Sequence, residues 1–212
     1  MSSRSINFTF HGIGPQERFL EPGEGTVWVS TERFRSVLDA VKGRSDVRIT
    51  FDDGNRSDVE IALPALLERG MTATFFVVAG RLGSDAFLTA EDLRALAAAG
   101  MRIGSHGMHH RPWREADLQE EVVTAKAVLE DALGQPITEA ACPFGSYDRR
   151  VLKALKRAGY ARVYTSDRGS AAPGEWLQAR TSITEAGDVR SLMDPSAPSL
   201  RRRAELAAKR WR

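Results

Sequence analysis

The chain reads as an α/β protein built on a mainly parallel sheet or barrel. Three observations predict this. β-prone apolar runs alternate with segments of helical apolar spacing along most of the 212 residues. The helical segments close repeatedly on a glycine: Gly43, Gly70, Gly100, Gly134 and Gly159. The run Thr72–Val78 (Thr-Ala-Thr-Phe-Phe-Val-Val) is almost continuously apolar, as expected of a strand buried on both faces of a parallel sheet.

Taken in order, Ile6–His11 alternates apolar and polar residues and predicts a strand, ended by Gly12, Gly14 and Pro15. A Gly-, Glu- and Pro-rich loop runs to about Thr26. Ser30 or Thr31 can cap a helix carrying Phe34, Val37, Leu38 and Val41 on one face. Val47–Phe51 predicts the next strand, ending in Asp52-Asp53-Gly54. A helix from Ser57 or Asp58 to Gly70 follows, then the Thr72–Val78 strand, then a helix capped by Thr89. Met101–Ile103 is a short strand before Gly104-Ser-His-Gly-Met-His-His110. The spacing predicts a long helix over Glu115–Leu133, a strand Ile137–Cys142 ending in Pro143-Phe-Gly-Ser-Tyr147, and a helix around Val151–Leu155. Tyr160–Thr165 and Trp176–Ile183 are the last β segments.

Length suits one domain, taken as 1–195, with a basic tail over 196–212. A net charge of +2 gives no general argument for binding nucleic acid. One cysteine excludes an internal disulfide framework and a multi-cysteine zinc site. No signal-peptide-like run opens the sequence, and nothing approaches the ~18 apolar residues of a membrane span. The expected compartment is therefore the cytoplasm.

In a parallel α/β sheet, chemistry gathers at the C-terminal strand ends. His11, Asp52, Asp53, His106, His110 and the Pro143–Tyr147 loop all fall there, so one rim would carry them. Asp-Asp-Gly alone is also ordinary turn chemistry. On a strand, adjacent residues point to opposite faces, which would separate the two acids. His106 and His110 stand four apart, and on a helical turn both imidazoles would share one side, close enough for one metal ion. Three of the four histidines fall within five residues. Two His and one carboxylate form a facial set with open positions for water and substrate. His109 is read as a surface neighbour.

Thr50-Phe-Asp-Asp-Gly54, Ser105-His-Gly-Met-His-His110 and Pro143-Phe-Gly-Ser-Tyr147, in that order, resemble the first three motifs of the polysaccharide deacetylases, the NodB homology domain of carbohydrate esterase family four. The resemblance extends over about residues 45–165. It implies a distorted (β/α) barrel, a divalent metal, usually Zn2+, and a carbohydrate substrate from which an N-acetyl group is hydrolysed. It implies Asp53, His106 and His110 as metal ligands and Asp52 as general base. It also implies an oxyanion donor at the Phe144 N–H, and Pro143 and Tyr147 at the substrate groove.

Two departures stand out. The family's third motif usually begins with an arginine that orients the base; Ala141 stands there, and Arg180 in the last β segment is the candidate replacement. The family's late histidine acid is also missing, since no His follows residue 110. The first and last strands of a closed barrel are neighbours, so a permuted arrangement would put His11 in that place, as general acid or merely as a partner of the following loop.

Trp113 is read either as a sugar-stacking groove residue or as core; Trp28 and Trp176 carry the same two readings. Cys142 is read as a small buried residue rather than a nucleophile. The tail Leu200–Arg212 holds six Lys/Arg against Glu205 and suits a solvated segment or weak contact with an acidic membrane surface. The expected function is N-acetyl removal from an amino sugar of a glycan or glycan precursor. The alternatives are a C–N hydrolase of a small amide and a silent glycan-binding domain.

Overall fold

The computed structural model describes residues 4–172, 174–193 and 205–209. Nine strands form one sheet. They are β1 Ser5–Phe10, β2 Val47–Phe51, β3 Ala73–Val77, β4 Arg102–Ser105, β5 Glu139–Ala141, β6 Arg162–Thr165, β7 Ser170–Ala171, β8 Leu177–Ala179 and β9 Thr181–Ser182. The order is β7-β1-β2-β3-β4-β5-β6-β8, with β9 on β1; every pairing except β1–β7 is parallel. This is a nearly closed, barrel-shaped α/β sheet in which β1 to β6 follow chain order. The helices are α1 Thr31–Val41, α2 Leu63–Leu67, α3 Ala90–Ala98, α4 Ala125–Leu133, α5 Arg149–Arg157 and α6 Val189–Leu192.

Strand alternation divides the interior in two. Ile6, Phe8, Phe10, Ile49, Phe51, Phe75 and Val77 face the helices and build the large apolar core. Their neighbours Asn7, Thr9, Thr50, Thr74, Phe76, Tyr164 and Gln178 are buried on the other face, where Phe76, Ala141 and Tyr164 form a separate small cluster. Polar side chains of that lumen pair with one another and with the backbone: Asn7 Nδ2 donates to Gln178 Oε1 (3.3 Å) and to the Ala179 carbonyl (2.9 Å), and the Tyr164 hydroxyl donates to Glu139 (3.3 Å).

Local chemistry accounts for the helix starts. Ser30 caps α1 through Arg33 N–H, Thr89 and Asp92 form a reciprocal capping box on α3, and Asp148 caps α5 through Val151 N–H. Two helices depart from their predicted form. Residues Asp58–Ala62 are a π-type turn that leads into α2, where Pro64 lacks the N–H an α-helix would use. Residues Gln119–Thr124 are likewise π-type before α4, so the helix predicted from Glu115 starts later.

The predicted strand Trp176–Ile183 divides at Arg180. Its first half, β8, pairs with β6, and its second, β9, pairs with β1. Arg180 donates its N–H to Thr165 (3.0 Å) and accepts Arg168 N–H (2.9 Å), so the chain bridges the two ends of the sheet at this residue. First and last strands are thus neighbours. Among the described residues no helix is long and apolar enough to cross a membrane. Of the tail, residues 205–209 are helical; 194–204 and 210–212 lie outside the described residues, and with them most of the expectation placed on the tail.

Candidate active site

The strand ends of β1, β2 and β4 deliver His11, Asp52–Asp53 and His106 to one cavity of about 330 Å³, whose wall also includes His110, Phe144, Ser166 and Ser182. Asp52 ends β2, its N–H bonded to the Phe10 carbonyl (2.9 Å). The divergence expected of neighbouring strand residues does not occur. Asp53 adopts φ 79°, in the left-handed region, and this turns both carboxylates toward His106: its Nε2 lies 3.8 Å from Asp52 Oδ2 and 3.7 Å from Asp53 Oδ1.

The two acids then have different partners. Arg180 reaches across the lumen and grips Asp52 with both guanidinium nitrogens, at 2.6 and 2.8 Å. The guanidinium carbon lies 5.2 Å from the Phe76 ring and 5.8 Å from the Tyr164 ring, so the small lumen cluster seats it. Burial alone would push the Asp52 carboxyl up. Arg180, then His106, outweigh it and hold the carboxyl far below the usual range. His11 Nε2 stands 4.0 Å from Asp52 Oδ2.

Asp53 has no such cation among the described residues. It is 2% exposed, and its Oδ1 has no hydrogen-bond partner among the described residues. That oxygen faces His110 Nε2 at 3.2 Å and His106 Nε2 at 3.7 Å. One donor atom from each of Asp53, His106 and His110 lies within 4.8 Å of the others. The far sides of both rings are tied down. His106 Nδ1–H donates to the Ala141 carbonyl (2.9 Å), and His110 Nδ1–H donates to Glu21 (2.8 Å), which Arg81 also holds. Both Nε2 lone pairs therefore face the acids, the orientation metal-ligating histidines adopt. Burial, then His110, pushes His106 down to about 4 despite the neighbouring acids, so the ring is neutral near pH 7. An unpartnered buried carboxylate oxygen facing two imidazole lone pairs fits a divalent cation.

The two histidines are not on a helical turn. They lie on a loop in which Gly107 takes φ 85° and His110 takes φ 53°. Glu121, buried, accepts Met108 N–H (2.8 Å) and His109 N–H (3.1 Å) and so shapes that loop. A Cβ at Gly107 would lie 2.3 Å from Glu121 Oε2 and 2.9 Å from Trp113 Nε1, so only glycine fits. Neither Glu21 nor Glu121 stood out in the sequence; the acidic loop and the acidic first turn after the histidine motif were the only signals.

The groove residues differ from expectation. Phe144 lines the cavity, 60% exposed, with φ 55° and its ring 4.6 Å from that of His110. No backbone carbonyl among the described residues accepts its N–H. Trp113, by contrast, is fully buried against the histidine loop and does not line this cavity. Tyr147 is also fully buried, its hydroxyl donating to Asp167 (2.6 Å). Pro143 is buried at the start of its loop. None of these three walls the cavity; Phe144, Ser166 and residues 21–24 do instead, because the loop turns its one positive-φ non-glycine residue outward. Cys142 is 1% exposed and burial raises its thiol to about 12, which leaves no thiolate to act.

One buried acid went unread. Asp58 is fully buried and neither carboxylate oxygen has a partner among the described residues. Burial, then Asp53 and Asp52, raises its carboxyl well above the usual range.

Comparison with known proteins agrees on the family. The profile of the polysaccharide deacetylases matches residues 39–163. YxkH of Bacillus subtilis (strain 168), described by name as a polysaccharide deacetylase, is 31% identical over 136 residues, 63% of this chain; the match spans about half of that relative (49%). Among solved structures, the Streptococcus pyogenes deacetylase PplD in complex with acetate superposes with a TM-score of 0.80 at 21% identity, covering 93% of this chain and 100% of that one. BC0361, a polysaccharide deacetylase from Bacillus cereus, gives 0.77 at 19% identity, covering 91% and 68%. At such identities these two show the shared barrel.

Proposed function

The chain belongs to the polysaccharide deacetylase family, and from that premise we propose that it hydrolyses the N-acetyl group of an amino sugar within a glycan or glycan precursor, using a divalent cation held by Asp53, His106 and His110. The observation that carries this reading is the buried, unpartnered Asp53 Oδ1 set against two imidazole nitrogens whose far sides are anchored.

A cation there, zinc by family resemblance, supplies Lewis acidity toward the acetamide oxygen and lowers the pKa of water. The protein's part follows from its own side chains. Asp52, kept ionised by Arg180, accepts the proton of the attacking water as the new C–O bond forms. The same grip makes Asp52 a weak base, so it acts only on a water already acidified. The Phe144 N–H donates to the oxygen on which charge develops. As the C–N bond breaks, His11 acts as the general acid toward the leaving nitrogen, so that acetate and a free amine result. His11 is on the cavity wall beside Asp52, within reach of such a position.

The test is acetate release from chito-oligomers, with bound metal measured on the same sample and a chelator control. Acetate that tracks metal content supports the reading. Stoichiometric metal with no acetate from any glycan overturns it and leaves the small-amide hydrolase reading in its place.

A further inference from the structure

Beside the cavity, the end of β6 carries a second buried acid that the proposed chemistry does not use. Asp167 is 3% exposed. Its Oδ2 accepts the Tyr147 hydroxyl (2.6 Å) and the Thr165 hydroxyl (2.9 Å). Its Oδ1 accepts the Lys209 ammonium at 2.9 Å. That ammonium also stands 4.1 Å from the centroid of the Tyr147 ring. A buried carboxylate with its second oxygen fixed by two hydroxyls, and an aromatic face alongside, is a built receptor for a compact cation.

The surroundings suit a ligand larger than a side chain. A recess of about 300 Å³ opens against Tyr147 and is walled by Arg114, Glu205, Ala208 and Lys209. That volume is at the lower bound of small-ligand pockets, roughly 300 Å³. Of the two cations on that wall, Lys209 is on Asp167 and Arg114 lies 4.0 Å from Asp148. The receptor is one residue along the chain from Ser166, which lines the catalytic cavity. Ser166 also packs under the third-motif loop: a Cβ on Gly145 would come within 2.9 Å of it. Cavity and receptor therefore share a wall.

We propose that Asp167 and Tyr147 form a subsite for a protonated primary amine, held in this structure by the chain's own Lys209 and taken, during work on a glycan, by the ammonium of an amino sugar already stripped of its acetyl group. The subsite rests on the reading that this protein acts on amino sugars. It gives the reaction a preference for partly deacetylated chains, with the neighbouring glucosamine unit displacing Lys209. No covalent step is involved.

The experiment measures, by titration calorimetry, the binding of fully deacetylated chitotetraose, which has no acetyl group to lose. Wild type, Lys209→Ala and Asp167→Asn are compared, each loaded with metal, and Km for fully acetylated chitotetraose is measured in parallel. Removing the resident amine should tighten the cationic tetramer about tenfold, and removing the carboxylate should weaken it by about the same factor, the scale of one charge-assisted hydrogen bond. Km for the acetylated tetramer should move less than about twofold. Equal affinity of the cationic tetramer for all three proteins overturns the subsite, as does a loss of thermal stability in Lys209→Ala with no change in binding, which would mark the pair as structural only. Because binding is read without turnover, its outcome is separable from a failure to release acetate, which would speak against the catalytic reading instead.

Discussion

Asp52 and Asp53 are consecutive in the chain and face the same imidazole, yet their settings are opposite. Asp52 is saturated: Arg180 occupies both oxygens, and burial of the charge is offset from inside the protein. Asp53 is left open, with a buried oxygen facing two imidazole nitrogens and no hydrogen-bond partner among the described residues. One acid has been given its counter-charge by the fold, and the other is arranged to take one from solution. Two adjacent buried carboxylates are tolerable because the problem is solved twice, by different means. Asp58, buried near both with no hydrogen-bond partner among the described residues, meets the problem differently, its carboxyl pushed well up.

The largest effect expected is on the open side. Asp53→Asn or His106→Ala should lose bound metal and at least roughly 10³-fold in acetate release, since one cation serves both water and carbonyl. Metal analysis and rate together check this, and retention of stoichiometric metal by both variants would break the contrast between the acids.

On the saturated side, Arg180→Met strands a buried carboxylate. Unfolding free energy should fall by about 3–5 kcal/mol, the usual cost of removing one member of a buried pair. The pH dependence carries the sign. Asp52's folded value lies below its unfolded one, so its contribution is complete above the unfolded carboxyl value of 3.8 and is lost as pH falls toward the folded one. Denaturation midpoints followed from pH 7 to pH 2 should lose that acid-range decline in Arg180→Met, while wild type keeps it. A Arg180→Met protein as stable as wild type throughout would show that the pair is not what holds Asp52.

His11→Ala should retain metal and lose about 10²-fold in turnover, the lower end of general acid–base catalysis. Unchanged turnover at neutral pH with metal bound would remove His11 from the reaction. The smallest effect is at Asp58. Its folded value is raised, so its acid form favours folding at low pH and it costs stability as pH rises through that value. Asp58→Asn should therefore raise Tm of the metal-free protein near pH 7, by roughly 2–4 °C, the shift that 1 kcal/mol produces in a chain of this size. A lowered Tm would mean that Asp58 is ionised and paired in the folded protein.

Much of the molecule was legible because its signals are local. Strands β1 to β6 follow from β-prone runs, β8 and β9 fall within one predicted β segment, and the caps at Ser30 and Thr89 stand as read. The two-residue strand β7 carries no periodicity to read. The ligand candidates were legible because their residue types are rare and fall at strand ends. The helical turn assigned to His106 and His110 was not right, since Gly107 and His110 take positive φ and the loop's shape comes from Glu121, more than ten residues on. Trp113 illustrates the same limit: an aromatic after a motif looks alike whether it packs inward or lines a groove.

What the sequence determined by itself is the strand-and-helix alternation, the rim that collects the chemistry, and the identity of the acids and histidines on it. Tertiary structure alone decided how they differ. Arg180 meets Asp52 because the last extended segment leaves β6, kinks, and joins β1, a closure between residues 128 apart in the chain. Glu21 meets His110 across 89 residues. Periodicity reports which face a residue turns toward its own element's neighbours; it holds no information on which distant side chain arrives there. The partners of Asp52, Asp53 and Asp58 are set by those arrivals and by burial, so three acids within seven residues came to three different settings.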